Sequence, residues 1–345
     1  MDQNKKVFLG GIVSIVLFLF LAYFFYLSRP TGSKIDVFKI EKGDGVSIIS
    51  KNLESSGAVR SRIAFEIWTI LTGRAHKMKP GFYQIKEDSS MFKIVASFVD
   101  GPTDFKFLIT EGKSMFDIEK QLINLGMLGG RELIGFDASN FYSDFDFLKG
   151  VSNLEGFIFP DTYNIAQASD LNSFIKLALD NFKEKALPLF DADGRLISYL
   201  HGITPSLYDI LAMASIIEKE VPLQEDRLIV SGILWKRYIL GMPLQVDASV
   251  IYAKCVDLFI NKEDLKKCGS ISRSDFSLKS EYNTYFVAGL PAGPIANPGK
   301  DAILAALNPK KSLYFYYLSS PKTKETIFSK DFDEHSINRA KYLGL

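Results

Sequence analysis

Glu218 is the acid whose neighbours best suit it to move a proton. It lies in Thr204-Pro-Ser-Leu-Tyr-Asp-Ile-Leu-Ala-Met-Ala-Ser-Ile-Ile-Glu-Lys-Glu-Val-Pro222. Thr204 is the expected N-cap, Pro205 suits the first helical position, and Pro222 is expected to end the helix near Val221. Leu207, Ile210, Leu211, Ala214 and Ile217 recur at helical spacing and form one apolar stripe, which Glu218 continues. Glu220 points roughly the other way and reads as the ordinary solvent-facing acid of the pair. A carboxyl on a buried face is costly to ionise, and the negative end of a helix dipole acts in the same sense. Such a group can hold a proton near neutral pH and pass it to a leaving oxygen. The competing structural reading is that Glu218 pairs with a nearby cation, or that the stripe ends at Ile217.

Other groups with chemical potential are scattered along the chain. Glu155, Asp161 and Asp247 are the further acids, each also readable as a loop acid that accepts backbone N–H groups. Asn283, Thr284, Tyr285 and Asn297 are candidate hydrogen-bonding groups for a ligand. Phe157, Phe159, Tyr163, Tyr252 and Tyr282 could stack on a ligand ring, although such aromatics also serve as core. His76, His201 and His335 are far apart and form no H-E-x-x-H pattern, so neither a metal nor another cofactor is expected. Cys255 and Cys268 are too few for a disulfide framework. They read equally as two free thiols or as one bridge, which would stabilise by about 3 kcal/mol in the entropic account.

These residues need elements to position them. Helices are expected over 170–185 and 207–221, and strands or extended segments over 157–163, 287–290 and 314–318. Gly289-Leu-Pro-Ala-Gly-Pro-Ile-Ala-Asn-Pro-Gly299 is expected as a surface loop over a rigid scaffold, because its prolines fix φ and lack donors. Upstream, Ile40 to Leu53 has a partner in Ile109 to Leu122, with Gly57 matching Gly126, and a looser third copy runs from Ile85 to Phe98. Each copy reads as a strand end, a tight turn and an amphipathic helix.

The remaining signals concern location. Val7 to Leu27 carries no charge, and about 21 helical residues span roughly 30 Å, the thickness of a bilayer core. Lys5 and Lys6 precede this run, and Tyr23, Tyr26 and Arg29 sit at its far end, at headgroup level. A cleaved signal peptide would have a shorter apolar core and small residues at the cut, and no A-x-A pattern follows Leu27. The expected scheme is α+β. It has a cytoplasmic tail (1–6), a transmembrane helix (7–27), a tether (28–34), a small α+β domain (35–105) and a larger α+β catalytic domain (106–345). With 41 basic and 40 acidic residues, the net charge of +1 gives no electrostatic reason to expect nucleic acid.

The repeated units resemble lysin-motif modules, which bind N-acetylglucosamine polymers. Over nearly its whole length the chain resembles the endolytic murein transglycosylases. The resemblance rests on Leu154-Glu-Gly-Phe-Ile-Phe-Pro-Asp-Thr-Tyr163, Ala214-Ser-Ile-Ile-Glu-Lys-Glu220, Leu244-Gln-Val-Asp-Ala-Ser-Val-Ile-Tyr252, Tyr282-Asn-Thr-Tyr285, the Gly289–Gly299 loop and Glu334-His335, in that order. It implies a lyase with Glu218 as catalytic residue and Glu155, Asp247, Tyr282, Asn283, Thr284, Tyr285 and Asn297 as substrate-binding residues. It also implies peptidoglycan glycan strands as substrate, peptidoglycan synthases as partners, and a single-pass anchor in the inner membrane with the catalytic domain on the extracytoplasmic side. The implied reaction cuts the bond between N-acetylmuramic acid and N-acetylglucosamine in nascent strands, leaves 1,6-anhydro ends and so terminates elongation. Val246, Ala248 and Ala292 depart from the family's pattern. A muramidase using water and a tethered, non-catalytic glycan-binding scaffold are the alternatives.

Overall fold

The computed structural model describes residues 3–102, 105–125, 127–165, 170–190, 195–221, 223–320, 323 and 325–344. Gly126, the partner of Gly57 in the repeat, and Pro222, the expected helix stop, lie outside the described residues. The chain forms two compact units, Met1–Lys106 with Asn164–Asp170 and Phe107–Tyr163 with Leu171–Leu345.

The first unit begins with α1 (Gln3–Ser28). Its stretch Gly11–Ser28 has a mean hydropathy of 2.3 and is only 6% buried, so this helix is long and apolar enough to cross a membrane. Its last turns pack on the rest of the unit, with the Phe24 ring 6.2 Å from Trp68 and 6.4 Å from Phe92. Next come β1 (Ile35–Ile40), α2 (Val46–Ser55), α3 (Arg62–Leu71), β2 (Gly81–Ile85) and α4 (Met91–Asp100). β1 and β2 are antiparallel, with Phe38 opposite Tyr83 and Ile40 opposite Gly81. Ser61 and Ser90 cap α3 and α4 by accepting the N–H groups of Ala64 and Lys93. Leu53, Phe65, Val95 and Phe98 are fully buried, so each of the three short helices turns its apolar stripe to one core.

The second unit takes over within β3 (Phe105–Ile109) and continues through α5 (Met115–Asn124), β4 (Asp161–Ile165), α6 (Leu171–Lys185), α7 (Arg195–Tyr199), α8 (Leu207–Glu220), α9 (Gln224–Ile239), α10 (Asp247–Ile260), α11 (Lys300–Leu307), β5 (Tyr316–Ser319), β6 (Thr326–Ser329) and α12 (Phe332–Leu343). Among the described residues all sheets are two-stranded: β1–β2, β3–β4 and β5–β6. The fold is α+β, as expected. The strand–turn–helix pattern read from the repeats recurs as β1–α2, β2–α4 and β3–α5, each helix having 10 residues.

Helix α8 is the axis of this unit, with α9, α10 and α11 all packed against it. Every residue from Ile210 to Ile217 is buried. This corrects the one-stripe expectation, because a helix apolar all round is buried all round, and Glu220, just beyond this run, is half-buried and not an ordinary solvent-facing acid. The cap also differs. Ser206, not Thr204, accepts from Asp209 N, and the Asp209 carboxylate accepts in return from Ser206 N at 2.9 Å. This reciprocal box satisfies two end donors at once, which a lone Thr204 cap would not do.

The Gly289–Gly299 loop is not a surface loop. Pro291 and all residues from Gly293 to Gly299 are buried. Burial is tolerable because its donors find acceptors: Ile295 N donates to Ser215 Oγ at 3.0 Å, Asn297 N to Lys113 O at 2.9 Å and Gly299 N to Glu218 Oε2 at 3.0 Å. Two of these acceptors sit on α8, so the loop is bolted to the helix that carries both acids. Cys255 and Cys268 form a disulfide that ties α10 to the turn Leu265–Lys267.

Candidate active site

The last turn of α8 presents Glu218, Lys219 and Glu220, and the structure sends the two acids to different places. Glu218 has a side chain only 6% exposed, and both its oxygens are engaged. Oε1 accepts from Arg227 Nη2 at 2.8 Å, and Oε2 accepts from Gly299 N. Arg227 is itself buried, and its Nε donates to Val221 O at 3.0 Å, which fixes the guanidinium against the end of α8. The cation-paired reading of Glu218 is therefore the observed one.

Glu111 completes this corner. Its carboxyl lies so close over Gly299 that a Cβ there would come within 2.2 Å of Glu111 Oε1. Burial raises the Glu111 pKa, the negative charge of Glu218 adds to the rise, and Arg227 opposes it. A larger residue at 299 would therefore have to displace the Glu111 side chain.

Glu220 lines a cavity of about 730 Å³ together with Asp247, Tyr285, Tyr317, His335 and Arg339. Its Oε2 accepts from Tyr317 Oη at 3.3 Å. Burial pushes its carboxyl up to about 7, the Asp247 charge pushes the same way, and the Tyr317 hydrogen bond opposes both. Glu220 therefore combines an open cavity with a proton held close to neutral pH. Lys219, between the two acids, lines the same cavity.

Asp247 opens α10 and is exposed, with Oδ1 accepting from Tyr285 Oη at 2.7 Å. Burial, then the bond to Asp247, raises the Tyr285 phenol well above its ordinary value. Asp247 is held in place from beneath. Gln245 takes a positive φ of 55°, and its N–H donates to Thr284 O at 3.1 Å. Val246 N donates to Thr284 Oγ1 at 2.9 Å, and Thr284 N donates to Ser249 Oγ at 3.1 Å. Thr284 is fully buried and clamps the entry to α10.

The other expected binding residues divide similarly. Asn283 is fully buried, and its Nδ2 donates to Phe276 O and Leu278 O at 3.0 and 2.8 Å. Asn297 is fully buried, accepting from Gly156 N and Ile158 N and donating to Glu155 Oε1 and Lys113 O. Glu155 has no exposed surface, and Met115 N bridges both its oxygens at 3.1 and 3.0 Å. Burial pushes the Glu155 carboxyl up to about 8, against the opposing bonds from Met115 N–H and Tyr252. Tyr282 is half-buried, its ring 4.9 Å from Tyr252, and its hydroxyl accepts from Asn153 Nδ2 at 3.4 Å. Of the eight expected site residues, Asp247 and Tyr285 share the cavity with Glu220, whereas Glu155, Asn283, Thr284 and Asn297 form the buried frame.

Glu220, Tyr317, Arg227 and Glu111 did not emerge from spacing. One signal was available for Glu220. Ile210-Leu-Ala-Met-Ala-Ser-Ile-Ile217 contains no strongly polar residue, so acids that follow it on either face meet protein. Among the described residues no cluster of His, Cys, Asp and Glu is arranged to hold a metal ion.

Comparison with known proteins gives a consistent picture. The profile of the YceG-like family matches residues 38–341. An endolytic murein transglycosylase of Bacillus subtilis (strain 168) is 27% identical over 332 residues, covering 88% of this chain and 84% of the relative. An endolytic murein transglycosylase of Streptococcus pneumoniae serotype 2 (strain D39) is 24% identical over 336 residues, and the match spans 58% of that longer protein. A crystal structure of a yceG-like protein from Listeria monocytogenes superimposes with a TM-score of 0.58 at 26% identity, covering 89% of this chain and 99% of the other.

Proposed function

Since the chain belongs to the YceG-like family, we propose that it is an endolytic murein transglycosylase in which Glu220, not Glu218, moves the proton. The observation that carries this assignment is the Glu220 carboxyl, raised to about 7 and facing the cavity it shares with Asp247, Tyr285 and Tyr317. Glu218 has both oxygens occupied by donors, an arrangement that suits a fixed carboxylate bracing the Gly289–Gly299 loop.

In the proposed reaction Glu220 begins protonated and gives its proton to the oxygen between N-acetylmuramic acid and N-acetylglucosamine. The C1–O bond breaks and the N-acetylglucosamine end leaves with its hydroxyl restored. The resulting carboxylate accepts the proton of the muramic acid's C6 hydroxyl, O6 bonds to C1, and a 1,6-anhydro ring forms. One carboxyl serves as acid and then base, and no water is consumed. Asp247 and the Tyr285 hydroxyl bonded to it face the bound sugar, and the buried frame of Glu155, Asn283, Thr284 and Asn297 holds their loops in place. α1 serves as a single-pass anchor with Lys5 and Lys6 on the cytoplasmic side. The Cys255–Cys268 disulfide suits an oxidising, extracytoplasmic location for the second unit.

One observation favours a second reading. Asp247 lines the same cavity as Glu220, and a carboxyl pair is what hydrolysis with water requires. The ends of the products separate the two. Full-length protein in detergent, incubated with glycan strands, should yield anhydro ends, whereas reducing ends would identify a muramidase. Glu220→Gln should abolish cleavage while strand binding persists. Because the reaction needs the protonated acid first, the rate should fall as pH rises through about 7. A Glu220→Gln protein that still cuts would remove Glu220 from the mechanism.

A further inference from the structure

A second cavity of about 490 Å³ lies in the same unit and shares Lys219 with the one described above. It is within the size range of ligand pockets. Lys219 lines both cavities, and the start of α10 is shared between them: Asp247 faces the first, and Ala248, Ile251 and Tyr252 face the second. The two cavities therefore adjoin at Lys219 and at the start of α10.

The lining of this cavity has a definite chemical character. Its acids are used inside the protein. Asp117 accepts from Ser114 N and Oγ, both at 3.0 Å. Glu119 accepts from the backbone N–H groups of Arg131, Leu133 and Ile134, and Asp264 accepts from Lys266 N at 2.9 Å. Lys120 and Lys266, by contrast, take part in no ion pair among the described residues. The cavity thus offers ammonium donors that remain available, beside an apolar wall where Phe116 meets Tyr252 edge-on at 5.6 Å. Cationic donors beside aromatic carbon suit a sugar ring that bears a carboxylate. The wall is also fastened: the Cys255–Cys268 disulfide, both of whose residues line the cavity, pins the Asp264–Gly269 segment to α10.

We propose that this cavity is a second saccharide subsite, which holds the part of the same glycan strand that continues away from the bond over Glu220. Its lysines meet the lactyl carboxylate of a muramoyl residue that carries no peptide, or the carboxylates of the stem peptide where one is attached. This inference rests on the proposed function, since an enzyme that cuts within a strand must hold it beyond the bond it breaks.

The test uses full-length protein in detergent with purified long glycan strands and with a short oligosaccharide that fills only the Glu220 cavity. In the non-cleaving Glu220→Gln background, Lys120→Glu and, separately, Ile251→Trp should weaken binding of long strands by about tenfold. Both should leave short-oligosaccharide binding unchanged, and Lys120→Arg should bind long strands as the parent does. With Glu220 intact, the same substitutions should raise KM for long strands and leave kcat unchanged. Equal losses on both lengths, or no loss on either, would overturn the subsite. A wild-type protein that yields no anhydro ends yet binds long strands through Lys120 would overturn the reaction and leave the subsite standing, so the two failures are distinguishable.

Discussion

The last turn of α8 holds two acids of the same type two positions apart, and their surroundings differ. Glu218 meets a buried guanidinium, and Glu220 meets an open cavity, a phenol and a neighbouring acid. The difference can be measured as stability. Glu218→Gln leaves Arg227 buried without its ion partner and should cost about 3 kcal/mol, visible as a lowered midpoint in denaturant titration. Glu220→Gln should leave that midpoint unchanged or higher, because it removes a carboxyl that burial already disfavours in its charged form. Glu155 gives a pH signature. Its pKa is raised from 4.5 to about 8, so the folded state holds its proton where the unfolded chain has released it. The associated stability is complete below pH 4.5 and is lost as pH rises through about 8. The loss amounts to about 1.4 kcal/mol for each pH unit between those two values. The melting temperature should therefore decline across this window, and Glu155→Gln should flatten the decline. An identical slope in that variant would show that the carboxyl titrates normally.

At the level of elements, the site depends on how closely other segments approach α8 and α9. The Gly289–Gly299 loop can be buried because Ser215 and Glu218 supply acceptors for its N–H groups. Helix α9 is held through Trp235, whose Nε1 donates to Ala306 O at 2.9 Å, and through Gly232, where a Cβ would fall 2.0 Å from Lys310 O. Gly232→Ala would force backbone apart at that crossing and should cost about 3 kcal/mol, with a loss of cleavage that follows the loss of folded protein. A variant that folds and melts like the wild type would show that α9 can shift freely. The sequence located α6 and α8 to within a residue or so, because their apolar spacing is strong. It misjudged the loop and the face of Glu220, because both depend on what packs alongside, and spacing carries no record of partners.

For the molecule as a whole, the composition divides into one helix of high hydropathy and a remainder with balanced charge. Deleting residues 1–28 should move the protein from the detergent phase to the aqueous phase in a phase-separation assay, while Glu220-dependent cleavage of free strands is retained. Partition of the truncated protein with detergent would point to a further membrane-binding surface. The sequence alone determined the apolar N-terminal helix, the α+β class, the recurring strand–turn–helix units and the segments from which the site is built, because each is written in local periodicity and turn chemistry. For the acid it pointed to Glu218, whereas the acid proposed here is Glu220, two positions on in the same turn of α8. Only the tertiary structure decided which acid of that turn faces a cavity, that Cys255 and Cys268 are joined, and that four of the expected binding residues lie beneath the surface. The physical reason is that a side chain's protonation and reach are set by the groups packed around it, and here Arg227, Gly299, Tyr317 and Asp247 come from separate parts of the chain.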